Sequence, residues 1–261
     1  MWQEERHQKI RDYLIAFGHV SIDRITEELD VSRETIRRDL MDLELAGVLR
    51  RIRGGAISLT KEDTDFKVRV TQRLQEKRSI AHQALALLEN DMTIFIDAGT
   101  TTTVVAETLA AHNGLKGLNI LTNSIDVAQL LSERESGQYH RYKVLLLSGE
   151  VRQEPLETFG AATINDIHRY RADVALLAPW GIDAKMGAMN YFIHGAEIAR
   201  AMVRNSAQTI ILADHSKIGA PGRSTFCPPE EITHLIVDRK AQDNPEFLEL
   251  KKTISNVIIS Q

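Results

Sequence analysis

The fold of the first part of this chain is decided by residues 31–40, Val31-Ser32-Arg33-Glu34-Thr35-Ile36-Arg37-Arg38-Asp39-Leu40. Ser32 can begin a helix here, because its hydroxyl can accept a hydrogen bond from an amide of the first turn. Apolar residues then recur at helical spacing and predict a face that packs on a core, Ile36, Leu40 and Leu43. Arg33 and Arg37, with Arg38 beside them, share a different face, which points to solvent or to a phosphate.

These arginines also have an ordinary interpretation. A run of charges on a helix is most often a solvated face. The three arginines could then pair with acids of their own helix, Glu34, Asp39 and Asp42. The segments before and after the helix favour a face that binds phosphate over a face that is only solvated.

Length and composition indicate a globular protein of one or two domains. The chain has 261 residues, of which 43% are hydrophobic and 26% are charged, and these values argue against a disordered or membrane-embedded chain. The first residues lack the long apolar stretch of a signal peptide, and no run of 18 apolar residues occurs anywhere. We therefore expect a cytoplasmic protein.

Cysteine content and charge narrow the classes further. Cys227 is the single cysteine, and no Cys/His cluster with zinc spacing accompanies it, so we expect no disulfide, metal site or cofactor. The net charge of −4 at first argues against a polyanion partner, but residues 31–60 hold six arginines and four acids. The acidic excess lies elsewhere, so this segment can still bind phosphates.

Two shorter helical patterns precede the arginine-bearing helix. The first has an apolar face that ends at Gly18, formed by Ile10, Leu14 and Phe17. The second follows Ser21, a favourable N-cap, and its apolar face is formed by Ile22, Ile25 and Leu29. A short turn, Asp30-Val31, leads into the third helix. Two helices, a tight turn and a basic helix make a helix-turn-helix pattern.

A β-hairpin is predicted directly after the third helix. Gly47 is placed to end that helix as a C-cap. Two β-prone runs then flank Gly54-Gly55, which predicts a turn of two residues or slightly more. The hairpin carries three further arginines, Arg50, Arg51 and Arg53. Residues 1–59 are therefore predicted to form a winged helix-turn-helix domain.

Residues 6–58 resemble the DNA-binding domain of the DeoR family of bacterial transcriptional regulators. The resemblance is carried by Arg6 and Ile10, by the run from Ser32 to Leu40, and by the wing sequence Arg53-Gly54-Gly55-Ala56. It implies that the third helix lies in the major groove of double-stranded operator DNA. The residues nearest to base edges would then be Arg33, Glu34 and Arg37.

The resemblance also implies contacts with the DNA backbone. Thr35 and Arg38 are better placed for phosphates, and the hairpin arginines for the backbone or the adjacent minor groove. The full predicted set is Ser32, Arg33, Glu34, Thr35, Arg37, Arg38, Arg50, Arg51, Arg53 and Gly54. Asp39 is left out, because phosphate would repel its carboxylate. We expect Asp39 to face inward and to orient Arg38 or another arginine by a charged hydrogen bond.

The rest of the chain predicts an α/β domain. Residues 60–72 turn polar and are expected to form a linker, part loop and part helix. Apolar runs then alternate with helical patterns, at 92–96, 118–121, 143–147, 173–178, 209–213, 234–237 and 257–259. Such continuous Val/Ile/Leu runs are typical of strands buried on both faces. Residues 73–261 are therefore predicted to form a Rossmann-like, mainly parallel α/β domain.

Polar segments follow the predicted strands, at the ends where ligands bind in such sheets. Gly99 and four threonines begin a helix, and their amides and hydroxyls favour an anion such as phosphate; a simple helix cap is the alternative. Lys217 could neutralise a phosphate or be a surface lysine, and Asp97 and Asp183 could bind sugar hydroxyls or cap turns. The predicted site comprises Asp97, Gly99, Thr100, Thr101, Thr102, Asn123, Ser124, Gly149, Arg152, Gly181, Asp183 and Lys217.

This second part resembles the sensor domain of the same family. The matching segments are 97–101, 122–124, Gly149 with Arg152, 159–160, 181–183, and Asp214 with Ser216-Lys217. That sensor is similar in fold to ribose-5-phosphate isomerase and glucosamine-6-phosphate deaminase, and family members usually sense phosphorylated sugars. Ser148 and Pro179-Trp180 depart from the family pattern and bear on which effector is bound. Trp180 could stack on a ligand or simply fill space.

The resemblance thus implies a repressor of carbohydrate-metabolism genes that a phosphorylated sugar releases from DNA. We expect a homodimer or homotetramer, because one winged helix contacts too little DNA for high specificity. One alternative is a sugar-phosphate isomerase or deaminase-like enzyme, in which Glu197 or Asp183 with Lys217 transfers a proton. We expect no such activity, since an enzyme would have no use for residues 1–59. Another is a sensor that has lost its ligand and acts through oligomer contacts.

Overall fold

The computed structural model describes residues 2–17, 19–52, 54–58, 66–132 and 141–261. The chain divides into two compact units, Met1–Arg69 and Val70–Gln261. Of the predicted linker, residues 60–65 lie outside the described residues, and a helix covers Phe66–Thr71. Within the described ranges, no helix is long and apolar enough to cross a membrane.

The described part of the N-terminal unit packs helices on a small antiparallel sheet. Its elements are α1 (Gln3–Phe17), β1 (His19–Ser21), α2 (Ile22–Leu29), α3 (Arg33–Leu45), β2 (Leu49–Ile52) and β3 (Gly55–Ser58). The sheet order is β1-β3-β2, and β1 is an element that the sequence pattern did not predict. The apolar stripes of the helices meet in one core, which includes Ile10, Leu14, Ile25, Ile36, Leu40 and Leu43. The predicted helix stop at Gly18 and the side chain of Phe17 lie outside the described residues.

The helix ends in this unit follow the predicted caps. Ser21 Oγ accepts a hydrogen bond from an amide of the first turn of α2, at 3.2 Å, and Ser32 Oγ accepts one from Thr35 N at 3.1 Å. Gly47 has a φ of 67°, the left-handed conformation with which glycine commonly ends a helix. Helix α3 therefore begins at its predicted cap, and this places its arginines on the first two turns.

The wing hairpin differs from the prediction in its turn. Ile52 pairs with Gly55, so Gly55 belongs to β3, and Gly54 lies in the turn before it. A Cβ atom on Gly55 would lie 2.0 Å from Val20 O, so the approach of β1 requires glycine at this position. The prediction of a turn here is therefore right for Gly54 and wrong for Gly55, because the second glycine makes this long-range contact instead.

The second unit is a larger α/β domain. Its strands are β4 (Thr93–Ile96), β5 (Asn119–Thr122), β6 (Lys143–Leu146), β7 (Glu150–Arg152), β8 (Glu157–Phe159), β9 (Ala172–Leu177), β10 (Gly181–Asp183), β11 (Gly187–Asn190), β12 (Ser206–Ala213), β13 (Ser224–Cys227), β14 (His234–Val237) and β15 (Val257–Ile259). Helix α4 (Phe66–Thr71) spans the division of the chain into units. The further helices are α5 (Leu74–Leu85), α6 (Thr100–Ala111), α7 (Ile125–Ser132), α8 (Ala161–Ile167), α9 (Ile193–Arg204) and α10 (Pro245–Thr253).

Seven strands form one parallel sheet in the order β15-β14-β12-β9-β4-β5-β6. They coincide with the apolar runs of the sequence, so the prediction of a mainly parallel α/β domain is confirmed. Ile94 and Ile96 on β4 pack with residues of α5, α6 and α7, whereas Phe95 between them packs with residues of α8, α9 and α10. Helices therefore cover both faces, which explains why the strands are apolar throughout.

The strand order reverses between β4 and β9. From β4 the chain proceeds to β5 and β6 on one side, and from β9 it proceeds to β12, β14 and β15 on the other. Loops diverge at such a point and leave a crevice at the carboxyl ends of the strands. We call the loops that follow β4, β5, β6, β9 and β12 the rim. All predicted effector segments lie in these loops or directly beyond them.

A buried ion pair holds α3 against α1. Asp39 is 1% exposed, and its carboxylate accepts hydrogen bonds from Arg6 Nε at 2.6 Å and Arg6 Nη2 at 2.9 Å. His7 Nε2 lies 3.3 Å from the same carboxylate. Asp39 thus faces inward and orients an arginine, as the sequence predicts. That arginine is Arg6 of the first helix, not the neighbouring Arg38.

Replacing Asp39 with Ala should destabilise the N-terminal unit by about 1 to 3 kcal/mol, because the Arg6 guanidinium would lose its partner in a mostly buried position. Hydrogen exchange of peptides from α1 and α3 measures this local stability in the full-length protein. Glu34→Ala removes an exposed carboxylate from the same helix and serves as the control. Equal exchange in the two variants would show that the ion pair does not stabilise the unit.

Candidate functional site

Three arginines on α3 are presented to solvent. The side chains of Arg33 and Arg37 are each 62% exposed, and that of Arg38 is 74% exposed. Arg33 pairs with Asp23 at 2.5 Å, whereas Arg37 and Arg38 lie 3.8 and 3.7 Å from Glu34. Exposed ion pairs contribute little stability. These guanidinium groups can therefore exchange carboxylates for phosphates or base edges at small cost.

The other polar residues of α3 have separate roles. Ser32 Oγ and Thr35 Oγ1 lie 2.8 Å apart in the first turn, so both predicted contact residues are positioned by the helix cap. Asp42 accepts a hydrogen bond from Gln3 Nε2 at 2.9 Å, and Asp39 binds the first helix as described. Two of the three acids that could have paired with the arginines thus connect α3 to α1.

The wing places further basic side chains beside α3 in the same unit. Arg50 on β2 is exposed. Arg51 Nε donates to Glu44 Oε2 at 2.6 Å, and hydrogen bonds from the Arg51 backbone and side chain lower the pKa of Glu44. Gly54 adopts a φ of 88° in the turn, a conformation that favours glycine. Arg53, also predicted to contact DNA, lies outside the described residues.

On the rim, Asp97 joins the two strands at which the sheet order reverses. Its Oδ2 accepts a hydrogen bond from Ala178 N, directly after β9, at 3.1 Å, and its Oδ1 accepts one from Thr102 Oγ1 at 2.8 Å. Burial raises the pKa of Asp97 to about 7, although these hydrogen bonds act in the opposite direction. The residue keeps some accessible surface, but protein groups surround its carboxyl. The first turn of α6 and the backbone directly after β9 are thus both bound by one side chain.

The threonines after β4 divide between structure and surface. Thr101 and Thr102 are 2% and 0% exposed. Thr102 Oγ1 also accepts a hydrogen bond from Gly99 N at 2.9 Å, so this hydroxyl is used within the loop. A Cβ atom on Gly99 would lie 2.7 Å from Ala178 Cβ, which explains the glycine. Thr100 retains accessible surface at the first position of α6, where amides favour an anion.

A buried polar cluster lies close to Asp97. Asn123 Nδ2 donates to Glu157 Oε2 at 3.0 Å, and Glu157 is 5% exposed. His194 Nε2 lies 3.8 Å from Glu157 Oε1 and contacts the Arg152 guanidinium. Burial raises the pKa of Glu157 to about 7 against the effects of Arg152 and Asn123, and the charge of Asp97 adds to the increase. Two carboxyl groups that titrate near neutrality therefore share this part of the rim.

Sequence reasoning identified Asn123 and Arg152 in this cluster but missed Glu157 and His194. These residues come from β8 and α9, and no spacing or motif connects them to the predicted segments. Buried carboxylates require partners, but Glu157 follows a stretch that is already rich in charged and polar residues, 150–154. The sequence therefore carries no signal that singles out Glu157 or His194.

An aromatic wall connects the cluster to Lys217. The Arg152 guanidinium lies 4.8 Å from the ring centroid of Phe192, and the Phe192 and Trp180 rings are 6.2 Å apart. Lys217 Nζ lies 5.5 Å from the centroid of the Trp180 ring. Trp180 is 8% exposed, so it fills space between the two cations. The predicted cationic residues Arg152 and Lys217 thus flank one wall.

The remaining predicted effector residues shape the backbone. Cβ atoms on Gly149 and Gly181 would lie 2.1 Å from a threonine hydroxyl and 1.9 Å from a carbonyl oxygen, so both glycines permit close packing. Ser124 Oγ caps α7 by accepting a backbone hydrogen bond at 3.2 Å. Asp183 Oδ1 accepts hydrogen bonds from two amides of the turn after β10, at 2.8 and 2.6 Å. Asp183 therefore caps a turn, which was the alternative role considered for it.

The residues considered for proton transfer do not form a catalytic arrangement. Glu197 is exposed on α9, Asp183 is engaged by its own turn, and Lys217 lies against Trp180. In contrast, the rim combines a helix N-terminus with two cations, which is the chemistry that binds an anion. Buried amide and carboxyl groups beside these cations can accept hydrogen bonds from hydroxyl groups and donate hydrogen bonds to them.

Comparison with known proteins identifies the family. Residues 6–62 match the family model of the DeoR-like helix-turn-helix domain, and residues 72–239 match that of the DeoR C terminal sensor domain. The chain is 36% identical over 254 residues to the glycerol-3-phosphate regulon repressor of Haemophilus influenzae. The aligned residues cover 97% of this chain and 96% of that protein. It is 32% identical to the transcriptional repressor GlcR of Bacillus subtilis, over 92% of this chain and 90% of that protein.

Among solved structures, a ribose 5-phosphate isomerase from Plasmodium falciparum is similar at 18% identity with a TM-score of 0.38, over 54% of this chain and 52% of that chain. This likeness is too distant to inform function. The two family models together span the helix-turn-helix unit and most of the α/β unit. The chain therefore belongs to the DeoR family, with a DeoR-like helix-turn-helix domain followed by the family's sensor domain.

Proposed function

We propose that the protein is a DNA-binding repressor whose affinity for operator DNA is lowered by a phosphorylated sugar or a related metabolite. The observation that carries this proposal is the exposed arginine face of α3, which stands on a capped helix in a winged unit. The relatives are named as repressors, one of them of a glycerol-3-phosphate regulon. We accordingly place the regulated genes in carbohydrate metabolism.

The DNA contacts divide by position on the unit. Arg33, Glu34 and Arg37 at the beginning of α3 read base edges in the major groove, where a bidentate arginine distinguishes guanine. Arg38 and the hydroxyls of Ser32 and Thr35 bind phosphates, which fix the register of the helix. The wing contributes backbone contacts from Arg50, Arg51, residue 53 and Gly54. Two or four copies bind together, because one such unit covers too little DNA.

The effector binds on the rim with its phosphate at the N-terminus of α6. Thr100 and Lys217 bind the phosphate, since the helix amides and the ammonium group both favour negative charge. Arg152 and Asn123 recognise the remainder of the molecule from the cluster that contains Glu157. Effector binding lowers DNA affinity by a coupling free energy of about 1 to 3 kcal/mol, the usual range for two linked sites.

Arg37→Ala should weaken binding to a selected operator by about 1 to 3 kcal/mol and relax selectivity at one base pair, if Arg37 reads a guanine. The operator is first selected from random DNA with the wild-type protein, and affinities are then measured at one fixed salt concentration. Arg78→Ala, which removes an exposed arginine from the sensor unit, controls for net charge. Unchanged affinity and selectivity would remove Arg37 from the interface.

Combining Thr100→Val with Lys217→Met should leave operator binding intact and abolish the response to the effector. A thermal-shift screen of phosphorylated sugars identifies the effector, because a ligand of the native state raises apparent stability. Lys185→Met, at an exposed position in the turn after β10, is the matched control. A double variant that still releases DNA on effector addition would show that the phosphate binds elsewhere.

Effector binding should strengthen as pH falls from 8 to about 7, with uptake of protons. The pKa values of Asp97 and Glu157 are raised to about 7, and an anion nearby favours the protonated forms further. Calorimetry in buffers with different ionisation enthalpies measures this uptake. Glu157→Gln should reduce it, whereas Glu89→Gln at an exposed site should not. Proton release, or equal uptake in both variants, would contradict an anion beside these carboxyls.

A further inference from the structure

An ion pair near the beginning of the sensor unit reaches the rim. Arg73 is the last residue before α5, and its Nε lies 3.0 Å from Asp214 Oδ1. Asp214 is 0% exposed, whereas the Arg73 side chain is 32% exposed. The N–H of Arg73 Nε is not aligned for a hydrogen bond with this oxygen, so the contact is a charge pair. Arg73 also adopts a φ of 53°, which is uncommon for a residue with a side chain.

Asp214 in turn organises the loop that carries Lys217. Its Oδ1 accepts a hydrogen bond from Ser216 N at 3.0 Å and caps a short helical turn, His215–Lys217. Burial would raise the pKa of Asp214, but Lys217, the Ser216 hydrogen bonds and Arg73 together lower it. The buried carboxylate is therefore stabilised by two cations, one on the rim and one before α5. Its Oδ2 is buried without a hydrogen-bond partner among the described residues.

Helix α5 is attached to the same edge of the sheet at two further points. Glu76 Oε1 accepts a hydrogen bond from Lys240 Nζ at 2.6 Å, and Ser79 Oγ lies 2.7 Å from Ser260 Oγ, directly after β15. The first turns of α5 thus cross the carboxyl ends of β12, β14 and β15. A shift in the Asp214 loop would act on a helix that is already fixed to this edge.

We propose that Arg73 is a positioning residue that holds the Lys217 loop in place through Asp214. Through the same ion pair, an anion bound in that loop also stabilises the beginning of α5. The proposal rests on the proposed function, since Lys217 is there assigned to the effector phosphate. An anion at Lys217 competes with Asp214 for the ammonium group, and Asp214 then depends more strongly on Arg73. Arg73 lies four residues beyond Arg69, the last residue of the DNA-binding unit, so this response arises where the chain connects the two units.

Hydrogen exchange of the full-length protein tests the positioning role without any ligand. Arg73→Gln should speed exchange in peptides covering residues 214–218, and Arg73→Lys, which keeps the charge, should restore slow exchange. Arg78→Gln, an exposed arginine on α5 itself, should match the wild type. Wild-type exchange at 214–218 in Arg73→Gln, or faster exchange across the whole sheet in place of a local change, would overturn the proposal.

The response to an anion is tested with glycerol 3-phosphate as the probe. In the wild type the probe should protect both 214–218 and 70–77, and in Arg73→Gln its affinity should fall roughly tenfold, within the usual range for residues of one ion-pair network. Protection of 70–77 should then be lost, while operator affinity without probe stays within about twofold of the wild type. Protection of 70–77 that persists in Arg73→Gln would overturn the response.

A failure of the proposed function can be distinguished from a failure of the positioning role of Arg73. If glycerol 3-phosphate and the phosphorylated sugars of the thermal-shift screen protect no part of the wild-type rim, the assignment of Lys217 to a phosphate is wrong. The exchange of residues 214–218 in Arg73→Gln, measured without ligand, still decides whether Arg73 positions that loop.

Discussion

The carboxyl group of Asp97 holds together the two strands at which the parallel sheet changes direction. Strands β4 and β9 are neighbours in the sheet but distant in the chain, so their loops diverge and leave the crevice that ligands use in such folds. One oxygen accepts a hydrogen bond from the backbone after β9, and the other accepts one from Thr102 in the first turn of α6. The beginning of α6 and the backbone directly after β9 are therefore both bound by a single side chain.

The rim combines two carboxyl groups with two cations. Asp97 and Glu157 are desolvated, and their pKa values rise to about 7, because the protein surroundings replace water poorly around a carboxylate. Arg152 and Lys217 stand at opposite ends of one aromatic wall. Such a site carries little net charge near neutrality and becomes more positive as its carboxyls take up protons. It is suited to an anion that also carries hydroxyl groups.

In the N-terminal unit, specific contacts at the helix ends supplement a small apolar core. A unit of this size buries a small core, so its helices depend on specific end contacts as well as on apolar packing. The Arg6–Asp39 pair and the Ser21 and Ser32 caps supply these contacts inside the unit. The ion pairs of the α3 arginines are exposed and contribute little stability, so these side chains remain available to bind a polyanion.

The sequence by itself determined the features that depend on residues a few positions apart. The Ser32 cap, the apolar stripes of the helices, the left-handed Gly47 and the seven strands of the parallel sheet all follow from local hydrogen bonding and periodic burial. The same reasoning located the rim, because parallel strands place their carboxyl ends at one edge.

Only the tertiary structure decided the contacts between distant segments. It paired Asp39 with Arg6, moved Gly55 from the turn into a strand beside Val20, and brought Glu157 and His194 to Arg152. It also placed Asp183 as the cap of its own turn and paired Arg73 with Asp214. These contacts depend on which elements become neighbours in space, and charge, size and spacing along the chain do not determine that.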